Sequence, residues 1–307
     1  MFSKKSKIAF IGAGKAAYSI ADALLKTGYK IDFIFSKNLI SAKNFSKKFK
    51  IKTYANYNSD LIDYAEIIFL SVPDNQIKIT ANEISKLKLN FSHKLFIHLS
   101  GANDIFVLSS LKKKKAKTAS FHIMQTFPSR KIVPVKNCYA AIETKDKTAE
   151  KYLFEVSRDL NLHPFKIKSG EKAYYHLAGV YASNFLVGNT FSAENIFKSN
   201  SKEEIKFFEI AQPIIKSTLN NISKNNSANS LSGPADRGDY KTILKHISAL
   251  KKRKALIEDN INLQLLNYIS QSLILLQAAE KKYGELNEGH LKIKELLIEE
   301  LKKMIKK

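Results

Sequence analysis

The segment Ile8-Ala9-Phe10-Ile11-Gly12-Ala13-Gly14-Lys15-Ala16-Ala17 limits the fold more tightly than any other part of the chain. Four apolar residues run into a G-x-G-x-x-A turn, and helix-forming residues follow at once. A strand, a tight turn and a helix in that order open a β-α-β unit of the dinucleotide-binding kind. Gly12 permits the turn. Gly14 leaves room for the backbone to approach a diphosphate, and Ala17 lets helix and strand pack closely. The first-turn amides and the helix dipole then favour an anion. Gly12, Ala13, Gly14, Lys15 and Ala16 are the expected cofactor contacts. The alternative is a glycine-rich turn with no ligand.

The residues that follow repeat the unit. Lys30–Phe35, Glu66–Val72, Lys94–Leu99 and Ala116–Phe121 read as apolar strands, and Lys52–Tyr54 as a short one. Lys15–Thr27, Ser41–Phe49 and Asn75–Leu87 read as helices between them. Such alternation predicts a parallel sheet buried on both faces. Asn137–Glu143, Thr148–Leu160 and Pro164–Lys168 form a further strand-helix-strand unit able to extend that sheet. After Ser169 the pattern is helical: Glu171–Phe197, Lys202–Asn221, Ala255–Lys282 and Glu285–Lys307, with a polar loop at Asn220–Asn229. The expected class is α/β, a Rossmann-type doubly wound sheet (residues 1–168) followed by an all-helical domain (residues 169–307). Leu263, Leu266, Ile269, Leu273, Leu276 and Ala279 recur at helical spacing, as a core stripe or a dimer seam does.

The tip of the second strand chooses between nicotinamide cofactors. An NAD site has a carboxylate there for the ribose 2′-hydroxyl. This chain has Phe35-Ser36-Lys37-Asn38, while Asp32 falls too early, inside the strand. Ser36 and Lys37 suit a 2′-phosphate, so NADP is expected over NAD. Lys37 is otherwise one more surface lysine. Composition bears on that alternative: 51 basic residues face 28 acidic ones in 307, a formal charge of +23, and only four of the 51 are Arg. Readers of phosphates and bases lean on the planar guanidinium. The scattered lysines therefore predict a solvated basic surface rather than a nucleic-acid or other polyanion site.

In an open parallel sheet ligands lie beyond the carboxyl ends of the strands. Those ends carry Val72-Pro73-Asp74, Ser100-Gly101 and His122-Ile123-Met124-Gln125-Thr126. Val72, Pro73 and Asp74 are candidate cofactor contacts, with Asp74 alternatively capping the next helix. Ser100 is placed against the nicotinamide or the substrate. His122, Gln125 and Thr126 form a polar pocket wall, with packing as the alternative for His122. The seven histidines are dispersed and no Cys/His cluster or H-E-x-x-H occurs, so no metal is expected. Cys138, the only cysteine, reads as part of a buried strand. The basic start ends its apolar run too soon for a signal peptide, and no stretch approaches a membrane span, which together predict a cytoplasmic protein.

Four stretches carry a resemblance: Ile97-His98-Leu99-Ser100-Gly101-Ala102, Phe121–Phe127, Tyr175–Phe185 and Leu231–Asp239. The N-terminal half resembles the NADP-binding domain shared by pyrroline-carboxylate reductases, prephenate dehydrogenases and β-hydroxyacid dehydrogenases. Over about residues 7–290 the chain resembles the family that joins a Rossmann-like domain to domain of unknown function 2520. Where that family has His-Pro-Leu-Gln-Thr-Phe, this chain has Ile123 for the proline, which changes the turn expected after His122. The resemblance implies a nicotinamide cofactor, a helical domain like the C-terminal one of 6-phosphogluconate dehydrogenase, and a homodimer. It implies no substrate.

It also implies roles on the first long helix of the second domain, where the related dehydrogenases turn a basic group and an Asn toward the nicotinamide. His176 and Asn184 lie eight residues apart and share a helix face, with Ser183 adjacent. His176 is the expected proton donor or acceptor, and Asn184 the group that orients a carbonyl or carboxylate. Alternatively His176 only packs beside Tyr174 and Tyr175. Arg237, in a Gly-Pro turn, either binds a substrate anion or pairs with Asp236 or Asp239. The expected function is an NADP-dependent oxidoreductase moving hydride to or from a small anionic carbonyl, imine or hydroxy acid in an interdomain cleft. A non-catalytic dinucleotide sensor or scaffold is the second reading, and a polyanion binder the third.

Overall fold

The computed structural model describes residues 2–54, 57, 59–198, 206–253 and 262–305. The chain forms two compact units, Met1–Val187 and Gly188–Lys307.

The first unit is built on β1 (Ile8–Ile11), β2 (Ile31–Phe35), β3 (Lys52–Tyr54), β4 (Ile67–Leu70), β5 (Leu95–His98), β6 (Lys117–Ile123), β7 (Tyr139–Glu143) and β8 (His163–Lys166). They make one sheet in the order β3-β2-β1-β4-β5-β6-β7-β8. Every residue of β1, β4 and β5 is buried, as expected of central strands covered on both faces. Phe10 and Phe69 stack at 4.9 Å between β1 and β4.

Helices α1 (Lys15–Lys26), α2 (Leu39–Phe49), α3 (Ser59–Tyr64), α4 (Asp74–Ile84), α5 (Ser109–Lys113) and α6 (Lys147–Asp159) connect the strands. Ala17, Leu24, Phe45, Tyr152 and Val156 of α1, α2 and α6 close one face of the sheet. Ile62, Ile77, Ala81 and Leu111 of α3, α4 and α5 close the other. Strands β1 to β6 are parallel, but β6 and β7 are antiparallel, with His122 opposite Ala141. The connection explains the reversal. Residues 124–138 hold no helix and return the chain at the end where β6 stopped, and a parallel neighbour needs a crossover instead. The unit β7-α6-β8 is parallel again and extends the sheet.

The long helix expected over Glu171–Phe197 is three elements. These are α7 (Lys172–Gly179), a π-helical turn at Val180–Asn184, and α8 (Phe185–Lys198), which crosses from one unit to the other. Placing a boundary at Lys168 puts α7 on the far side. In the structure α7 belongs with the sheet because Lys172 Nζ donates to Ser100 O (2.5 Å) and to Ser120 Oγ.

The second unit contains the rest of α8 with α9 (Phe207–Asn229), α10 (Pro234–Arg237), α11 (Tyr240–Lys252), α12 (Leu263–Tyr283) and α13 (Glu288–Ile305). The segment 220–229, read as a loop, is helical. Asn226 alone departs, at φ 65, and its side chain accepts from Asn229 N as an N-cap does, restarting the helix. Of the apolar stripe, Ile269 and Leu276 are core against Ile243, Ile293 and Leu297 and Ala279 is buried, whereas Leu263 is exposed. Residues 202–205, 255–261, 306 and 307 of the expected helices lie outside the described residues. Among the described residues no helix is long and apolar enough to cross a membrane.

Candidate coenzyme and active site

The glycine turn stands where β1 meets α1. Gly12 has φ +96 and donates its N–H to Phe35 O at 2.7 Å. A Cβ at Gly14 would lie 2.5 Å from Ser71 O, and one at Gly12 2.7 Å from it. Both glycines are thus required by the end of β4 pressing on the turn, a reason the spacing alone does not reveal. Ser71 is buried and locks this contact by donating its hydroxyl to Gly12 O. Ala17 is fully buried, as the close packing of helix on strand requires.

Two cavities flank the turn. One, of about 310 Å³, lies between the tips of β1 and β2 and helix α4, and Ser36, Lys37 and Tyr57 line it. The other, of about 680 Å³, runs over Lys15, Ala16 and Asp74 to Ser100 at the end of β5. Gly14, Ser71, Val72, Pro73 and Arg130 border both. The structure therefore brings all ten expected cofactor residues, Gly12, Ala13, Gly14, Lys15, Ala16, Ser36, Lys37, Val72, Pro73 and Asp74, to these two cavities. The bare glycine turn, the Lys15 and Ala16 amides at the start of α1 and the absence of a carboxylate at Ser36-Lys37 fit a dinucleotide with a 2′-phosphate. Lys37 Nζ lies 3.6 Å from Glu83, whose carboxylate also accepts from Tyr57 OH at 2.5 Å. The Tyr57 hydrogen bond, then Lys37, holds the Glu83 carboxyl below its ordinary range, while burial pushes the Tyr57 phenol up.

At the ends of β5 and β6 the structure brings three residues together. A Cβ on Gly101 would stand 2.7 Å from His122 Nε2 and 2.9 Å from His176 Cδ2, so the two imidazoles meet over this glycine. His122 Nδ1 lies 2.9 Å from Tyr175 OH. Burial, then the charges of Lys172 and His176, lowers the His122 pKa to about 4, so the ring is neutral at pH 7. Lys172 is itself pushed down to about 8 by burial, against the pull of Glu143, Asp74 and Asp104. Gly179 packs on Met124 in the same way, since a Cβ there would meet its Sδ at 2.9 Å.

Other expected residues are engaged elsewhere. The Ser100 hydroxyl donates to Asp74 Oδ2 (2.8 Å) and accepts from Ala102 N and Asn103 N. Asp74 is the first residue of α4 rather than its cap; Pro73 holds the capping position. Gln125 turns away from His122: its amide reaches Pro134 O and Cys138 Sγ, and its Oε1 accepts from Thr126 N. Ile123 continues β6, opposite Ala140, which a proline there would hinder. Cys138 is half-buried and precedes β7.

His176 and Asn184 relate through the π turn. Eight residues of regular α-helix rotate about 800°, leaving a pair some 80° out of line. The wide turn absorbs roughly one residue, which brings the rotation to about 700° and the two positions to nearly one line. Ser183 lies inside the same turn. Arg237 belongs to the second unit. Neither aspartate holds it by an ion pair: Asp236 accepts from Lys282 and Tyr283, and Asp239 caps α11 through Thr242. Sequence reasoning missed Arg130, Tyr175 and Lys172. Arg130 is one of only four arginines, which was the available signal.

Residues 7–102 match the family model described as NADP oxidoreductase coenzyme F420-dependent, and residues 138–261 match domain of unknown function DUF2520. The chain thus joins a Rossmann-like sheet to a C-terminal stretch that matches DUF2520. The family matched by residues 7–102 is one of NADP oxidoreductases, which fits the Ser36-Lys37 tip lining the smaller cavity. No curated protein matches it. Among solved structures, a provisional NADP oxidoreductase from Bacteroides fragilis is 22% identical at a TM-score of 0.73, over 89% of this chain and 99% of that one. A reductive aminase from Aspergillus terreus in complex with NADPH and ethyl-5-oxohexanoate is 13% identical at 0.58, over 97% and 94%. A pyrroline-5-carboxylate reductase from Coxiella burnetii is 18% identical at 0.53, over 92% and 99%. These likenesses establish the shared fold.

Proposed function

We propose that this DUF2520 protein reduces a small carbonyl or imine that carries an anionic group, or oxidises the corresponding hydroxy acid, with the reacting carbon held over Gly101. The observation that carries this reading is the meeting of His122 and His176 on Gly101, one residue beyond Ser100, which lines the larger cavity. NADPH held at these cavities would supply the hydride, and NADP⁺ would accept one.

The residues divide the remaining work. The amides of Ala13 to Ala16 and the Ser36-Lys37 tip hold the anionic parts of the coenzyme. Gly101, having no side chain, leaves open the space between strand end and imidazoles. His122 is neutral and orients through Tyr175. His176, exposed beside it, gives a proton to the carbonyl oxygen or imine nitrogen as the carbon gains hydride, and takes it back in the reverse direction. Asn184, near the same helix line, offers an amide to the substrate carbonyl or carboxylate, and Ser183 adds a hydroxyl. Arg237 is retained as a candidate for a substrate anion because neither Asp236 nor Asp239 pairs with it. Ser100 acts by shaping the loop, given its three hydrogen bonds.

A homodimer belongs to the same proposal. Helix α8 has no buried residue, and Val187 and Phe191 are 69% and 63% exposed. An apolar helix surface of that extent needs a partner.

The test is NADPH oxidation with a panel of small keto acids, keto esters and cyclic imines, for the protein and for His176→Ala. Turnover that falls at least a hundredfold in the variant with unchanged NADPH affinity supports the assignment. Unchanged turnover removes His176 from it. Tight NADPH binding with no turnover on any substrate favours the sensor reading instead.

A further inference from the structure

We infer that Arg130 is a coenzyme-binding residue that clamps the diphosphate bridge from outside the glycine turn. The inference rests on the NADP reading above. Arg130 lies in the helix-free connection between β6 and β7, far in sequence from the turn it faces. Its Nε donates to Ala13 O at 3.3 Å. Among the described residues that carbonyl is its only hydrogen-bond partner, and no carboxylate pairs with it. The terminal nitrogens of the guanidinium are therefore open to a ligand.

Its place relative to the cavities assigns the ligand atoms. Five residues border both cavities, and Arg130 is the only charged one among them. Lys37 borders only the cavity at the β2 tip, and Lys15 only the cavity leading to Ser100. A dinucleotide spanning the two has its diphosphate at their junction. The planar fork of an arginine suits two phosphate oxygens at once. The connection is also held ready: Val133 N donates to Ser19 Oγ of α1 at 2.9 Å, and Val135 is buried in the core. The side chain thus hangs from a fixed support, and little order has to be imposed when the ligand arrives.

A diphosphate contact treats NADPH and NADH alike, whereas a 2′-phosphate contact does not. The experiment is calorimetric titration of the full-length protein with each coenzyme, for the wild type, Arg130→Met, Arg130→Lys and Lys37→Met. Arg130→Met is expected to weaken both coenzymes by the same factor, on the order of tenfold or more. Arg130→Lys should recover part of the loss, and Lys37→Met should weaken NADPH alone. Arg130 is exposed, and equal melting temperatures of the variants check that folding is intact. Arg130→Met affinities within twofold of wild type overturn the inference, as does a loss confined to NADPH. If the wild type binds neither coenzyme, the NADP reading itself falls, a result distinct from either of these.

Discussion

His122 and Tyr175 share a 2.9 Å contact between ring nitrogen and phenol that ties the end of β6 to the first turns of α7. The imidazole is largely buried, so removing the phenol leaves a nitrogen without a partner. Tyr175→Phe should cost about 1–2 kcal/mol in urea unfolding. Tyr175 borders neither coenzyme cavity, so NADPH affinity should stay within twofold. Unchanged stability would show that the contact contributes nothing.

Gly14→Ala should damage the coenzyme site through the backbone of another strand. Gly14 has φ −66, which alanine adopts freely, but the new Cβ would press on Ser71 O at 2.5 Å. The expected result is a loss of about 1–3 kcal/mol of stability and at least tenfold weaker NADPH binding by calorimetry. Gly28→Ala is the control. Its φ of +88 brings strain, yet nothing lies within 4 Å of a Cβ there, so stability should fall and coenzyme affinity should not.

Acid should weaken the fold through two buried rings. The His98 pKa is lowered to about 3 and that of His122 to about 4, in both cases first by burial. In the unfolded chain both titrate near ~6.5. Below that pH the unfolded state takes up protons that the folded state refuses, so stability declines as pH falls from 7 and the loss is complete only below the folded values. Each ring should cost about 2 kcal/mol between pH 7 and pH 5. Denaturant midpoints across that range check this, and His122→Gln should show a shallower decline. A flat wild-type profile would contradict it.

Glu83→Gln should sharpen the preference for NADPH. Glu83 holds Lys37 at 3.6 Å on the rim of the smaller cavity, and its negative charge opposes a 2′-phosphate there. Both partners are largely exposed, so the gain is modest, about threefold tighter NADPH. NADH affinity should not move. A drop in NADPH affinity would mean that the carboxylate positions Lys37 rather than competing for it.

Light scattering at micromolar concentration should report twice the chain mass, and Phe191→Glu should shift it toward one. Phe191 is 63% exposed in the single chain, so the substitution disturbs no core residue. A wild type of one chain mass would refute the dimer.

The sheet was legible because its central strands are apolar throughout and turn residues punctuate them. The glycine turn, the Ser36-Lys37 tip and the strand ends were placed from spacing alone. The antiparallel β7 was not, since its direction depends on a connection without a helix, and sequence shows only that two strands follow each other. The role of Ser100 escaped for a related reason. A serine at a strand end reads as chemistry until Asp74, Ala102 and Asn103 are seen to occupy its hydroxyl. Arg130 escaped because it reaches the glycine turn from more than a hundred residues away. Asn226 marks a restart within α9, where an asparagine-rich stretch looks like a loop.

The π turn at Val180–Asn184 is a helix with one residue too many for its neighbours. Deleting a single codon there would let the chain wind regularly from Lys172 onward. Seven regular residues also turn through about 700°, so the helix beyond the cut would keep its facing. The surplus residue is therefore stored in the width of the turn, and the line from His176 to the flank that begins at Phe185 survives its loss.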